Sequence, residues 1–511
     1  MASKEQNLEQ AILLEKEKGT PDIEIGRKFG VTYKYIEKVI TKAKGINVSG
    51  FKDLKKIKIL HPKDFIEEQT TVWSFKQRGN WATHSGEYRG NWSPYIPRNV
   101  ILKYSKPGEI VLDYFCGAGT TAVESKLLGR RCIALDINEK AIELARRNLN
   151  FSVTPLQLRL VDKDNQYEIY EPEVMVGDAR NLSFLQNNSI DLICSHPPYA
   201  NIIQYTNSNE SDLSHLNIDD FLTEMKKVAE ESFRVLKPGR QCVILIGDMR
   251  KHKYVVPLGF KLIDVYLKAG FKLRELVIKR QHNCKTTGFW YTNSIKYNFL
   301  LLAHEYLPIF EKPFTPITIK EDAFVYTSLK PKFVKPVLKK QLKELETTTV
   351  WIFPQDDFEK NLDTNIIERY WTSDGYVTIS LSANGGSSQN LARTKKKLRN
   401  SLVYIKAKIP HIESSNWDTD KYLEEIKNIV ERELNSLNKG GIIAILINDI
   451  RKDNYLLPLG KLITDIIKFN NLLLKEIVIV TTENHKVDLD YKANQFLEIT
   501  HYYLLIYEKK K

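Results

Sequence analysis

Three short stretches carry residues whose types and spacing suit chemistry. Asp113-Tyr114-Phe115-Cys116-Gly117-Ala118-Gly119-Thr120-Thr121 stands between an apolar run, 110–113, and a helical pattern that opens at Thr120. Gly117 and Gly119 permit a tight turn and a close ligand approach, and the helix that follows offers unpaired N–H groups. Asp136 closes the next apolar run, 19 residues after Gly117, where a carboxylate can accept both hydroxyls of a ribose. A dinucleotide would fit these residues as well. Ser195-His196-Pro197-Pro198-Tyr199 follows a third apolar run, 191–194. Two prolines donate nothing to a ladder, so their carbonyls become rigid acceptors in the crevice where doubly wound sheets bind ligands. Tyr199 offers a flat face for stacking a base.

Together these motifs resemble the DNA amino-methyltransferases, which use S-adenosylmethionine to make N4-methylcytosine or N6-methyladenine. The family's glycine motif reads roughly Asp-Pro-Phe-x-Gly-x-Gly-Thr-Thr and is matched by Asp113 to Thr121, with Tyr114 in the proline's place. Its second signature is Asp, Asn or Ser before Pro-Pro and an aromatic, here His196-Pro197-Pro198-Tyr199. Ser93-Pro94-Tyr95-Ile96-Pro97 is similar to the family's extra cofactor-contacting segment, and Gly177-Asp178 to the position that reads the cofactor adenine. The resemblance covers residues 70–312, and 299–310 is similar to the family's last strands.

The resemblance implies S-adenosylmethionine as cofactor, bound by Pro94, Pro97, Asp113, Phe115, Gly117, Gly119, Thr120, Thr121, Asp136 and Asp178. It implies a catalytic set of Ser195, His196, Pro197, Pro198 and Tyr199. The reaction would be an in-line methyl transfer to the exocyclic amine of a flipped base, with no metal and no covalent intermediate. The His196 side chain and Pro197 carbonyl would accept the amino hydrogens while Tyr199 stacks on the base. A neutral imidazole accepts one hydrogen bond, so His196 serves while unprotonated. Ser195 resembles the cytosine-N4 enzymes and favours cytosine over adenine. Such enzymes commonly protect host DNA from a companion restriction endonuclease. The alternatives are an RNA amino-methyltransferase and a non-enzymatic DNA-binding regulator that senses the cofactor.

The elements that must position these residues read as α/β. Strands at 110–113, 132–136, 191–195 and 241–247 alternate with helices at 120–128, 139–148 and 219–235, which implies a largely parallel sheet covered on both faces; the resemblance implies that it is a Rossmann-like methyltransferase sheet. Residues 271–279 and 297–303 read as late strands. The last third repeats the middle. Gly239 to Gly259 aligns with Gly440 to Gly460 at an offset of 201, with eleven of 21 positions identical. Thr70-Thr71-Val72-Trp73 recurs as Thr348-Thr349-Val350-Trp351, and Asn188-Ser189-Ile190 as Asn400-Ser401-Leu402. Trp73 to Asn188 spans 115 residues, whereas Trp351 to Asn400 spans 49, so the second copy lacks the glycine loop and should keep only the late half of the sheet. Its counterpart of Ser195–Tyr199 is Ala407-Lys408-Ile409-Pro410-His411, which reads as catalytically dead. The two halves are expected to pack on each other.

Four segments follow: a helix-turn-helix over 1–50, a catalytic domain over 51–312, a Lys/Pro-rich linker over 313–346, and a truncated methyltransferase-like copy over 347–511. In the first, Thr20 reads as an N-cap with Pro21 opening the second helix. Gly30 gives the turn, and the third helix turns Tyr35, Ile36, Val39 and Ile40 inward. Tyr33, Lys34 and Lys38 would then face DNA. Arg78-Gly79-Asn80-Trp81 and Arg89-Gly90-Asn91-Trp92 form a doubled segment in which Arg78 and Arg89 could grip a strand. A loop that closes over the cofactor with buried tryptophans is the slightly favoured reading. Lys395-Lys396-Lys397 with Arg399 could contact phosphate. The net charge of +13, from 76 Lys and Arg against 63 Asp and Glu, suits double-stranded DNA as partner. No apolar run approaches a membrane span, Met1 to Gln10 lacks a signal core, and five scattered cysteines do not suggest disulfides, so a cytoplasmic location is expected.

Overall fold

The computed structural model describes residues 2–32, 35–36, 39–40, 57, 59–63, 65–88, 90–152, 168–199, 212–282, 288–314, 342, 344–372, 375–381, 387–392, 400–407, 409, 418–483 and 496–510. Two helices, α1 (Ala2–Glu17) and α2 (Asp22–Phe29), lead the chain. Gly30 takes a left-handed φ of 63° and ends α2 with a bond to the Gly26 carbonyl. Ile12, Ile25, Ile36 and Val39 form a small apolar centre, so the inward set of the third helix is where its spacing put it. The start of α2 differs from expectation. Pro21 is the cap, and the Thr20 hydroxyl instead donates to Glu15 at 3.3 Å. Tyr33, Lys34 and Lys38 lie outside the described residues, as do Arg89, 395–399 and most of the 313–346 linker.

The first sheet contains β1 (Val72–Ser74), β2 (Ile110–Asp113), β3 (Arg131–Asp136), β4 (Glu173–Val176), β5 (Ile190–Ser195), β6 (Leu236–Ile244), β7 (Lys272–Arg280) and β8 (His304–Glu311). Their order is β1-β7-β8-β6-β5-β2-β3-β4, with Ile246–Gly247 as a further short strand on β8. Only β8 runs antiparallel to its neighbours in this row. The fold class is the expected mixed α/β with a Rossmann-like parallel sheet. The carboxyl ends of β2, β3 and β5 therefore share one edge, where such sheets bind ligands.

Helices α3 (Tyr95–Tyr104), α4 (Thr120–Leu127), α5 (Glu139–Leu149), α6 (Ile218–Val235), α7 (Leu258–Lys268) and α8 (Gly288–Tyr297) belong to this half. Asn138 and Asn217 accept the first free N–H groups of α5 and α6. The strand expected at 297–303 is absent, and α8 runs into Tyr297 instead. Those residues are apolar because they pack on the second half. Leu301 donates to the Thr347 carbonyl at 3.0 Å, and Thr349 donates to the Leu301 carbonyl at 2.9 Å. The strand itself is β8.

The second half contains β9 (Val350–Phe353), α9 (Phe358–Tyr370), β10 (Gly375–Leu381), β11 (Ser387–Ala392), β12 (Asn400–Lys406), α10 (Thr419–Ser436), β13 (Leu437–Ile447), α11 (Leu459–Ile466), β14 (Leu472–Thr482) and β15 (His501–Lys509). The order β9-β14-β15-β13-β12-β10-β11 repeats the first sheet from β1 through β2. More than the late half survives, because β10 lies parallel to β12 as β2 lies parallel to β5. The antiparallel β11 then takes the place of β3, and no glycine loop or nucleotide-type crossover stands there among the described residues.

The halves meet about a pseudo-twofold axis, with one apolar core running through both. Thr71 bonds to His501 Nδ1 at 2.8 Å, and its repeat Thr349 bonds to His304 Nδ1 at 2.9 Å. His304 Nε2 and His501 Nε2 reach the Tyr306 and Tyr503 hydroxyls at 3.0 and 3.2 Å. Each contact has its counterpart from the other copy, the signature of an isologous interface. Gly259 and Gly460 open α7 and α11 directly against Tyr306 and Tyr503, and a Cβ at either would overlap the ring. Alanine at either glycine is expected to cost about 1–3 kcal/mol through overpacking, read from denaturant midpoints. Gly86→Ala, where a Cβ meets nothing nearer than 3.8 Å, is the control. Equal midpoints for all three variants would contradict this packing. No described helix is long and apolar enough to cross a membrane.

Candidate cofactor and base site

A cleft opens at the carboxyl edge of β2, β3 and β5. It brings together Phe115, Gly117, Asp136, Asp178, His196, Pro197 and Pro198. These come from four separate stretches of the sequence. Gly117 and Gly119 have φ of 49° and 80°, a conformation that favours glycine. A Cβ on Gly117 would press the Tyr88 ring, and one on Gly119 would press Ala145 of α5. The first glycine opens the cleft, and the second lets the two helices approach.

Asp136 Oδ2 accepts from Gly117 N at 2.9 Å, and Oδ1 from Asn138 N at 2.9 Å. Each carboxylate oxygen keeps a further lone pair, so the group can still take two ribose hydroxyls. Burial pushes its pKa up to about 6. Asp178 also lines the cleft, but Arg180 engages both of its oxygens, with Nη2 at 2.6 Å from Oδ2.

Asp113 and Ser195 lie beneath the cleft rather than on it. Ser195 Oγ donates to Asp113 Oδ1 at 2.6 Å and accepts from Phe115 N at 3.1 Å. Both are buried, so Ser195 ties β5 to the glycine turn. Its expected place among groups that touch the base is corrected to a strut between strands. The cleft's described lining also omits Pro94, Pro97, Gly119, Thr120, Thr121 and Tyr199. Pro94 caps α3 and Pro97 is buried in its first turn. Tyr114, which stands where the family has proline, turns under the sheet and bonds to Ser232 and Tyr266 at 2.9 and 3.2 Å.

The doubled Arg-Gly-Asn-Trp segment wraps the cleft. Trp81 and Trp92 are 3% and 7% exposed, and Gly90, Asn91 and Trp92 line the cavity with Tyr88. Asn91 accepts from the Thr120 hydroxyl at 2.5 Å. Arg78 Nη2 donates to the Trp92 carbonyl at 2.9 Å, so this guanidinium braces the loop. Buried Glu124 of α4 holds the other end through Trp81 Nε1, His84 Nε2 and Arg98 Nη1 at 2.7, 2.7 and 2.9 Å. Sequence reasoning missed Tyr88, Asn138, Asp212 and Leu213 as lining residues. Asn138 was within reach, two residues past Asp136 at a helix cap, whereas Asp212 caps a single 3-10 turn (Leu213–His215) that no motif singled out.

His196 is partly buried. Trp92 stacks on it with ring centroids 5.5 Å apart and 23° between planes. Burial lowers its pKa to about 4, so the imidazole is neutral at physiological pH.

A model of N6/N4-type DNA methylases matches residues 7–147 and 190–381, more than half of the chain. The chain belongs to this DNA methylase family. S-adenosylmethionine is its cofactor, and the cleft's residues suit it: a glycine turn and a buried carboxylate with spare lone pairs. A second model, an RMKL-like methyltransferase domain, matches residues 100–253. Among relatives, the tRNA (guanine(10)-N2)-dimethyltransferase of Methanothermobacter thermautotrophicus is 33% identical over 114 residues, 22% of this chain and 29% of that one. Type II methyltransferase M2.DpnII of Streptococcus pneumoniae is 34% identical over 86 residues, 16% of this chain and 31% of that one. Type II beta methyltransferase M.BslI of a Bacillus species is 25% identical over 238 residues, 44% of this chain and 23% of that one. The matches thus span less than a third of each of these three relatives. A putative DNA modification methylase from Thermus thermophilus, complexed with S-adenosyl-L-methionine, is a solved structure with 26% identity and a TM-score of 0.20, covering 29% of this chain and 55% of that one.

Proposed function

We propose that the chain is a site-specific DNA methyltransferase that methylates the exocyclic amine of a flipped base, with cytosine N4 favoured over adenine N6. One observation carries the reading: His196, Pro197 and Pro198 line the same cleft as Gly117 and Asp136. S-adenosylmethionine supplies a cationic sulfonium methyl when bound. An amine whose lone pair is delocalised into a ring is a poor nucleophile. The neutral His196 imidazole and the Pro197 carbonyl accept its hydrogens, draw it toward pyramidal geometry and stabilise the charge that develops. Tyr199 stacks on the base, and the loop carrying Trp92 shields the cleft. The N-terminal helices and the second half supply DNA contacts. The name of two relatives, Type II methyltransferases, supports a modification role beside a companion restriction endonuclease.

The test is tritiated methyl transfer to duplex DNA, with the modified nucleoside identified by mass spectrometry. N4-methylcytosine is expected, and Tyr199→Ala is expected to abolish incorporation while cofactor still binds. N6-methyladenine overturns the base assignment alone. The named activity of the tRNA relative favours RNA as a second reading. Incorporation into RNA and not DNA decides for it, and cofactor binding without any turnover decides for a regulator.

A further inference from the structure

Tyr199 does not stand alone behind the prolines. Its hydroxyl donates to Glu305 Oε1 at 2.7 Å, and Lys279 Nζ holds Glu305 Oε2 at 2.8 Å. His196 Nε2 lies 3.3 Å from the same hydroxyl. Glu305 is buried, and the ammonium of Lys279 is foremost among the groups that keep its carboxyl ionised against burial. Lys279 and Glu305 face each other across β7 and β8, and Gly247 sits opposite Glu305. A Cβ at Gly247 would press Tyr199 at 3.2 Å and Glu305 at 3.4 Å, so the glycine leaves room for both.

The second copy supplies an internal comparison. His304-Glu305-Tyr306 aligns with His501-Tyr502-Tyr503, so the interface residues recur and Glu305 does not. Lys279 becomes Val480, paired with Tyr502 as Lys279 pairs with Glu305. Gly247 becomes Asn448, whose side chain bonds to the backbone of Ile409 at 2.9 and 3.0 Å. Residues that hold the two halves together are thus present twice. The triad Gly247, Lys279 and Glu305 is present only beside Pro197-Pro198-Tyr199. A structural requirement of the sheet would appear in both copies.

We propose that Lys279 and Glu305 are positioning residues for methyl transfer, acting through Tyr199 to fix which nitrogen of His196 accepts the target amine. The inference rests on the amine-methylating reading above. A phenol has one hydrogen. Given to the Glu305 carboxylate, it leaves the Tyr199 oxygen able only to accept from His196. His196 must then carry its proton on Nε2, and Nδ1 keeps the lone pair that an amino hydrogen needs. The chain from Lys279 to His196 also fixes the plane of the Tyr199 ring for stacking. The arrangement accounts for histidine in a position where the family has Asp, Asn or Ser: the acceptor those side chains carry inherently is here imposed by a tautomer.

The test uses full-length protein labelled with 15N-histidine, with the His196 signals assigned by their loss in His196→Asn. Long-range proton–nitrogen spectra are expected to show Nε2–H in the wild type. Tyr199→Phe and Glu305→Gln are expected to give mixed or Nδ1–H states. Wild-type Nδ1–H, or one unchanged tautomer in all three proteins, overturns the proposal. Each variant should lose at least about 10-fold in kcat, the weight of one well-placed group in a transition state. Cofactor affinity should stay unchanged, because neither side chain lines the cofactor cleft. The double variant should be no slower than the slower single one, and additive losses overturn the coupling. If Glu305→Gln does not fold, Tyr199→Phe, which removes one oxygen, carries the test. The spectra need no nucleic-acid substrate, so they decide the proposal even where the amine-methylating reading fails.

Discussion

On the proposal that Asp136 holds both ribose hydroxyls, Asp136→Ala is expected to weaken S-adenosylmethionine binding by at least about 100-fold, because two hydrogen bonds to a charged group, each about 1.5–3 kcal/mol, would be lost together. Asp136→Asn keeps one acceptor oxygen and should fall between. Asp178→Ala should cost less, since Arg180 already engages both of its oxygens. The sign with pH follows from the raised pKa of about 6. Ribose hydroxyls need the ionised carboxylate. Affinity should therefore be constant above neutrality and fall by about tenfold per unit as the pH drops well below 6. Isothermal titration at several pH values reads both effects. An alanine variant that binds within threefold of the wild type, or a profile flat through pH 5, would remove Asp136 from the cofactor's contacts.

The same carboxylate shows how much of the site was legible in the sequence. The Gly117, Gly119 and Asp136 spacing is set by local geometry, a strand, a turn and the end of the next strand, and local geometry is what a pattern records. His196 and the two prolines were readable for the same reason. What could not be read lies across the sheet. Nothing near Ser195 says that its hydroxyl is consumed by Asp113, 82 residues away in sequence. Glu305 reads as one more strand residue until β7 and β8 place it against Lys279 and Tyr199. The apolar stretch 297–303 read as a strand because burial against the second half and burial within a sheet leave the same composition. The repeat was legible, and so was the packing of one half on the other. The surviving β10 was not, since it lies inside the segment where the copies stop resembling each other.

The repeat also makes the largest stability prediction. Arg250 Nη2 meets Glu476 Oε2 at 2.5 Å, and its counterpart Arg451 Nη2 meets Glu275 Oε2 at 2.6 Å. Both glutamates are fully buried. Each also accepts a backbone N–H of the half that supplies its arginine or abuts it, Leu300 on Glu476 at 3.0 Å and Leu497 on Glu275 at 3.3 Å. Removing one partner leaves a buried charge without compensation, which costs about 3–5 kcal/mol, whereas replacing both with apolar groups of similar volume is often neutral. Arg451→Met is therefore expected to lower unfolding stability by about that amount, and Arg451→Met with Glu275→Met to recover most of it. Burial already raises the Glu275 pKa despite Arg451, and losing the arginine raises it further. A carboxyl with a folded pKa above its unfolded value destabilises most where it is ionised, above the folded pKa, and that penalty is relieved as the pH falls towards the unfolded value. The Arg451→Met deficit should thus be largest at neutral pH and shrink as the pH approaches about 4.5, the ordinary glutamate range. Denaturant titrations at the two pH values check this. A deficit that is independent of pH, or a double variant as unstable as the single one, would mean that the interface is held by apolar packing and not by its two reciprocal ion pairs.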